Sequence, residues 1–339
     1  MVAAALHKGG DCLMTGRRRR LLVVAALLVL VAALTLAWAL IAGSLPIAPA
    51  EVLAALGGAD GMSASVVREL RLPRAVATFV CGGLLALAGA LMQVLLRNPL
   101  ADPYILGISG GAAVGALTGI SLGAASIWID GGAFAGALIA MLLVFGLAHG
   151  DGSWTQTRLL LTGVIVAAGC GAAVTLMLAL APDTRVQSML FWLMGDASGA
   201  SNPWPALGVL LIGLLAVLPF ARDLNVLARG EMTAHALGVS VKRLRLGLYV
   251  LASLLTAVAV TQVGSVGFVG LIVPHLVRLA LGNDQRVLLP TAAVAGGILL
   301  TVADTLARTV MAPQQLPVGV LTALIGVPVF LFLLARHPR

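Results

Sequence analysis

The sequence predicts an all-α membrane protein, a bundle of about ten transmembrane helices. Of the 339 residues, 60% are hydrophobic and only 10% are charged, and the mean hydropathy is +1.07. A soluble core cannot bury so large an apolar share, so much of the chain must be solvated by lipid. Aromatic residues supply only 4%. An apolar fraction made of Ala, Leu, Val and Gly favours closely packed helices over an aromatic-girdled barrel.

The first predicted element follows a cluster of four arginines at positions 17–20. The apolar run that begins at residue 21 has about 22 residues, which crosses the roughly 30 Å hydrocarbon core and exceeds the hydrophobic region of a signal peptide. We therefore predict a cytoplasmic N-terminal segment over residues 1–20 and a single transmembrane domain over residues 21–339. Met14, just before the basic cluster, is an alternative start to Met1.

The remaining spans are apolar runs separated by polar residues, Pro or Gly. The ten predicted spans cover residues 21–42, 75–96, 104–122, 131–148, 158–181, 205–221, 244–262, 267–282, 287–310 and 316–335.

The basic residues predict the orientation of these spans. The formal charge of +8 does not indicate nucleic-acid binding, because Lys and Arg stand at the ends of apolar runs. With both termini in the cytoplasm, most of them fall on the cytoplasmic side, as the positive-inside rule requires. The exceptions on the outer side are Arg68, Arg71, Arg74, Arg185 and Arg308.

The longest polar break covers residues 222–245 on the predicted cytoplasmic side. Within it, EMTAHAL follows Gly230 and ends at Gly238, which predicts a short helix outside the bilayer. The segment is interpreted either as a solvated connector or as a docking helix for a cytoplasmic partner.

The sequence predicts no enzymatic activity for this chain. It has two lysines, Lys8 and Lys242, and neither ends a GxxxxGK phosphate loop. The three cysteines show no CxxC spacing, so no metal site or disulfide is predicted. Among the spans, ionisable groups are expected at Asp304 and His275 near helix ends, with Asp304 four residues before Arg308 as a local ion pair.

Several motifs, in order along the chain, resemble the permease subunits of type II ABC importers, the iron-siderophore, haem and cobalamin permeases. They are RLPRAVA at 71–77, GALMQVLLRNPLADPYILGISGGAAVGAL at 89–117, RLLLTG at 158–163, FWLMG at 191–195, GEMTAHALGV at 230–239, GFVGLIVPHLVRL at 267–279 and QLPVGVLTALIGVPVFLFLL at 315–334.

The resemblance implies a homodimer of ten-helix subunits in a bacterial inner membrane. It also implies two cytoplasmic ATPase subunits, which bind ATP and Mg²⁺, and a periplasmic binding protein that delivers a large metal chelate. No cofactor is implied for this chain. The coupling residues implied by the resemblance are Gly230, Glu231, Met232, Thr233, Ala234, His235, Ala236, Leu237 and Gly238.

Two further sets of residues are implied by the resemblance. Arg71, Arg74 and Arg308 match rim arginines that receive glutamates of the binding protein; on position alone they could also be anchors for lipid headgroups. A cytoplasmic gate is implied at the following four positions, although Asn98 and Pro99 also predict a simple turn. The gate residues are Asn98, Leu100, Gln156 and Thr157.

Glycines recur every fourth residue from Gly107 to Gly123 and predict close helix packing along one face.

Two functions compete with the importer subunit. An ion-gradient-driven secondary transporter of a small solute would need carboxylates in mid-membrane. A non-transport scaffold would leave the RLPR and GEMTAHALGV motifs without a reason.

Overall fold

The computed structural model describes residues 2–148, 156–200 and 202–336, with the backbone alone at residues 2–21, 156, 334 and 336. Seven helices within these ranges are long and apolar enough to cross a membrane, and three shorter apolar helices complete a set of ten. The fifteen α-helices of the described residues are α1 (Val2–Ile41), α2 (Pro49–Leu56), α3 (Met62–Ser65), α4 (Leu72–Leu95), α5 (Ile108–Leu122), α6 (Ser126–Ala148), α7 (Gln156–Leu180), α8 (Asp183–Met194), α9 (Trp204–Val217), α10 (Ala221–Leu227), α11 (Glu231–Ala236), α12 (Val241–Val263), α13 (Val269–Leu281), α14 (Gln285–Ala307) and α15 (Val318–Arg336).

All ten predicted spans correspond to helices, so the predicted fold class is confirmed. Helix α6 begins at Ser126 rather than residue 131, which brings Asp130 into a span. The span predicted over 104–122 is interrupted. A 3₁₀ turn, Pro103–Leu106, precedes α5, and Gly107 joins them with a φ of 72°, which glycine adopts without a steric penalty.

The short helices between spans were not all predicted. α2 and α3 precede α4, and a π-helical segment, Val66–Arg71, joins α3 to α4 into one continuous helix over Met62–Leu95. α8 lies between α7 and α9. These pieces carry mixed polar and apolar residues, so a search for apolar runs does not find them.

The centre of the bundle is α4, which is buried along most of its length. It lies against α12, α13 and α14. A Cβ atom on Gly82 would overlap the carbonyl oxygen of Gly296, and one on Gly89 would overlap that of Gly270. Glycines at these crossings therefore let the backbones approach, as is common between membrane helices.

The predicted glycine face of α5 is confirmed in its middle. Gly111 and Gly115 lie against the backbone of α6, at Gly136 and Gly132. Gly107 and Gly123 instead flank the helix, and Gly123 ends it with a φ of 69°.

The candidate functional residues lie at two ends of the bundle. The loop end contains the 222–245 segment, and the arginine end contains Arg71, Arg74 and Arg308. At the loop end, the Asn225 side chain in α10 donates to Asp284 Oδ1 over 3.0 Å and accepts from the Gln285 backbone N–H over 2.9 Å, so the 222–245 segment lies beside the start of α14. At the arginine end, the start of α4 meets the end of α14 through Arg74 and Asp304.

Candidate functional site

At the arginine end, one buried carboxylate holds two guanidiniums. Asp304 is 2% exposed. Arg74 Nε lies 3.1 Å from each of its oxygens, and Arg74 Nη2 lies 2.8 Å from Oδ1. The predicted pair with Arg308 is also present, with Arg308 Nε 3.7 Å from Asp304 Oδ2. The shorter contact comes from another helix and was not predicted.

Arg71 and Arg308 attach α1 to the bundle. Arg71, 5% exposed, donates to the carbonyl oxygens of Leu40, over 2.9 Å, and Ile41, over 2.7 Å. Arg308 donates to the carbonyl of Ala39. The last carbonyls of a helix lack partners within the helix and carry its negative dipole end. Both arginines are buried and bonded to backbone carbonyls, so neither reaches lipid headgroups; they bear on a partner at this end through the charge of the cluster rather than through direct contact.

The cluster carries more positive than negative charge. Arg71, Arg74 and Arg308 lie around a single described carboxylate, Asp304. Their other acceptors are uncharged: the carbonyls at the end of α1, the carbonyl of Leu45, and the amide of Gln315, 3.0 Å from Arg74 Nη1. The excess is two positive charges at the rim of the bundle. Such a site attracts an acidic group from outside.

The other two outer arginines differ from these three. Arg68 has a side chain that is 39% exposed, and its ion pair with Asp60 measures 3.4 Å. Arg185 donates to the carbonyl of Ile120 over 3.0 Å and to that of Ser121, near the C-terminus of α5. Arg185 is therefore a helix-capping residue.

The predicted short helix of the loop end is confirmed as α11. Gly230, with a φ of 137°, precedes it and Gly238, with a φ of 76°, follows it. Glu231 accepts two hydrogen bonds from Arg245 of α12, over 3.0 and 2.7 Å. Ala234 is fully buried beneath the helix. The segment is thus held against α12 by these contacts, unlike a loose, solvated connector.

Two large apolar side chains are exposed on α11 and at the residue that follows it, at the loop end of the bundle. Met232 is 87% exposed and Leu237 is 66% exposed, and Thr233, His235 and Ala236 are exposed with them. Large apolar side chains presented together on a rigid element are typical of a protein contact surface.

The predicted turn between α4 and α5 is confirmed. The backbone N–H of Leu100 donates to Asn98 Oδ1 over 2.9 Å, an Asx turn. Asn98 and Leu100 are exposed, as is Thr157 at the start of α7. The side chain of Gln156 lies outside the described residues. The gate assigned to these four positions stays a prediction.

His275 lies in the middle of α13, immediately after Pro274, and not near the end of the helix as predicted. Within residues 22–41 of α1 and within α4–α7, α9 and α12–α15, the carboxylates are Asp130 and Asp304. Each lies within about a turn of a helix end. Asp130 borders a cavity of about 780 Å³ at the arginine end, with Gln187, Asp196 and Gln262 among its lining residues.

Asp102 lies in the turn before the 3₁₀ segment, outside the spans, and accepts from the Tyr104 backbone N–H over 2.8 Å. Burial raises the pKa of its carboxyl to about 6, and the bond to Tyr104 opposes that shift only in part. The ordinary pKa is 3.8, so the folded state binds this proton more tightly than the unfolded state.

The free energy of unfolding should therefore contain a contribution from Asp102 that is present below about pH 4 and is lost as the pH rises through 6. We expect Asp102→Asn, which keeps the acceptor oxygen, to lose this part of the pH dependence, about 2–3 kcal/mol. Unfolding in detergent at pH 4 and pH 7.5 measures it. Equal pH dependence in both proteins would contradict the assignment.

A model of the FecCD transport family matches residues 27–336. The chain is 46% identical over 272 residues to the cobalamin import system permease protein BtuC of Halobacterium salinarum, covering 79% of this chain and 73% of that one. It is 42% identical over 282 residues to the hemin transport system permease protein HmuU of Yersinia pestis, with coverages of 79% and 83%.

A solved structure of an inward-facing transporter, assigned to the metal-chelate type of ABC transporters, is similar to the whole bundle. The TM-score is 0.80 at 30% sequence identity, with 91% of this chain and 98% of that chain covered.

Proposed function

Because the chain belongs to the FecCD transport family, we propose that it is the transmembrane subunit of an ATP-driven importer of a large metal chelate, an iron-siderophore complex, haem or cobalamin. A periplasmic protein delivers the chelate at the arginine end. ATPase subunits, which bind ATP and Mg²⁺, act at the loop end.

The observation that carries this proposal is that the two ends of the bundle differ in the way an importer requires. One end has three guanidiniums around one buried carboxylate. The other has a short helix, held by the Glu231–Arg245 pair, with Met232 and Leu237 exposed. The first surface suits an acidic partner, and the second suits an apolar one.

The proposed assembly is a homodimer with two ATPase subunits in a bacterial inner membrane, with both termini cytoplasmic. The gate formed by Asn98, Leu100, Gln156 and Thr157 closes the cytoplasmic side. The cavity at the arginine end offers amide and hydroxyl groups from Gln187, Ser188 and Gln262 to a polar chelate.

Affinity purification from the native membrane in mild detergent tests the assembly. Mass spectrometry should recover an ATPase subunit and a periplasmic binding protein with the chain. A secondary transporter would be purified without either and would move its solute in liposomes down an ion gradient.

Docking of the binding protein depends on the charge excess at the rim. We expect Arg308→Gln to weaken docking at least tenfold, because one of two excess charges is lost while Arg74 still pairs with Asp304. Binding assays at two salt concentrations should also show a shallower salt dependence.

Arg68→Gln is the matched control, since Arg68 is already paired with exposed Asp60. Docking of Arg308→Gln at the affinity and salt dependence of the unmodified protein would remove the rim assignment.

A further inference from the structure

A groove with a volume of about 900 Å³ lies at the loop end, between α9, α10, α12 and the turn over residues 237–240 that joins α11 to α12. Leu237, exposed at this turn, therefore borders both the groove and the proposed ATPase contact. Its walls inside the bundle are apolar and come from two membrane-spanning helices. The apolar lining residues include Ala216, Val217 and Phe220 on one side and Leu248, Val250, Leu251 and Leu254 on the other.

The groove runs from the end of α12 towards the middle of the membrane. Lining residues extend along α12 from Arg243 to Leu254, a helical rise of about 16 Å. Beyond that point the two helices close, because a Cβ atom on Gly213 would lie 2.9 Å from Leu255 Cδ2. The groove is therefore a blind apolar slot at bilayer depth, where water gains few hydrogen bonds.

The mouth of the groove is basic. Arg222 from α10 and Arg243 from α12 both line it, and both are exposed. Asp223, half-buried, is the carboxylate of the lining. Neither arginine is within ion-pair distance of a carboxylate anywhere in the described ranges.

From this arrangement we propose that the groove binds an anionic phospholipid. The phosphate lies between Arg222 and Arg243, whose guanidiniums donate to its oxygens, and one acyl chain lies in the slot between α9 and α12. The depth favours a lipid over a docked protein, because a protein would cover the rim and leave the slot empty. The inference goes beyond the proposed function and requires only that the chain spans a bilayer.

Native mass spectrometry of the detergent-purified chain, supplied with phosphatidylglycerol or phosphatidylcholine, tests the site. We expect at least a tenfold preference for phosphatidylglycerol, which the double variant Arg222→Gln/Arg243→Gln loses. Arg286→Gln removes an exposed arginine at the same end but outside the groove, so it should keep the preference.

A second variant blocks the slot without touching the charges. A side chain added at Gly247, which lines the groove, would meet no atom within 4 Å, so Gly247→Trp should fold normally and exclude the acyl chain. Gly146→Trp is its control, since Gly146 is equally open and lies on α6.

Several results would overturn the proposal. Equal retention of both lipids by the unmodified chain would show that the basic mouth selects nothing. Undiminished phosphatidylglycerol binding by either groove variant would place the lipid elsewhere. If the double variant lost the ATPase partner and kept its lipid, the arginines would belong to a protein contact.

Discussion

Replacing Asp304 with Asn is expected to lower the free energy of unfolding of the subunit by about 3–5 kcal/mol, the typical cost of removing one partner of a buried ion pair. Asp304 is 2% exposed and pairs with Arg74 at 2.8 Å and with Arg308 at 3.7 Å. Without the carboxylate, three guanidiniums would share one poorly solvated site. Thermal or denaturant unfolding in detergent measures the loss.

The Asp304→Asn experiment has two internal comparisons. Asp60→Asn removes a fully exposed carboxylate from its 3.4 Å pair with Arg68 and should have no measurable effect. The double variant Arg74→Gln/Asp304→Asn should lose less stability than Asp304→Asn alone, because it strands fewer charges. Unfolding of Asp304→Asn at the wild-type midpoint would show that the arginines need no counter-ion.

Introducing charge on the exposed side of α11 should largely abolish association with the ATPase subunit. Met232 and Leu237 are 87% and 66% exposed, so Met232→Glu/Leu237→Glu should leave the fold intact. Anchoring residues of an interface typically contribute about 2 kcal/mol or more each, so the two together correspond to a loss of affinity on the order of several hundredfold. Co-purification with the ATPase subunit measures it.

Met62→Glu is the matched control for the loop-end variant. Met62 is 84% exposed and lies at the start of α3, before the π-helical segment that carries Arg71, so its substitution should leave ATPase recovery unchanged. Normal recovery from the Met232→Glu/Leu237→Glu protein would reduce α11 to a connector.

The spans were predictable because bilayer thickness demands a long apolar run, and a run is a local property of the sequence. The interrupted span at Gly107 was not, since Pro103 and Gly107 interrupt a segment whose composition stays apolar. The extension of α4 back to Met62 was missed because its mixed residues carry no single period.

The candidate site was predictable in position but not in contacts. The i,i+4 spacing indicated the Asp304–Arg308 pair, whereas Arg74 and Asp304 are 230 residues apart, and one sequence contains no sign that they meet. The partners of Arg71 are backbone carbonyls. Every residue has one, so residue types do not indicate which carbonyls Arg71 contacts. Asp130 fell outside the predicted span because that span began at residue 131, whereas α6 begins at Ser126.

Uptake by proteoliposomes tests the central claim most directly. They would contain this chain and its ATPase subunit, with Mg²⁺ and ATP inside and the binding protein outside, loaded in separate trials with haem, cobalamin or a ferric siderophore. The account predicts that one chelate accumulates and that uptake stops without ATP or without the binding protein. Accumulation that persists without the ATPase subunit and follows an imposed ion gradient would contradict it.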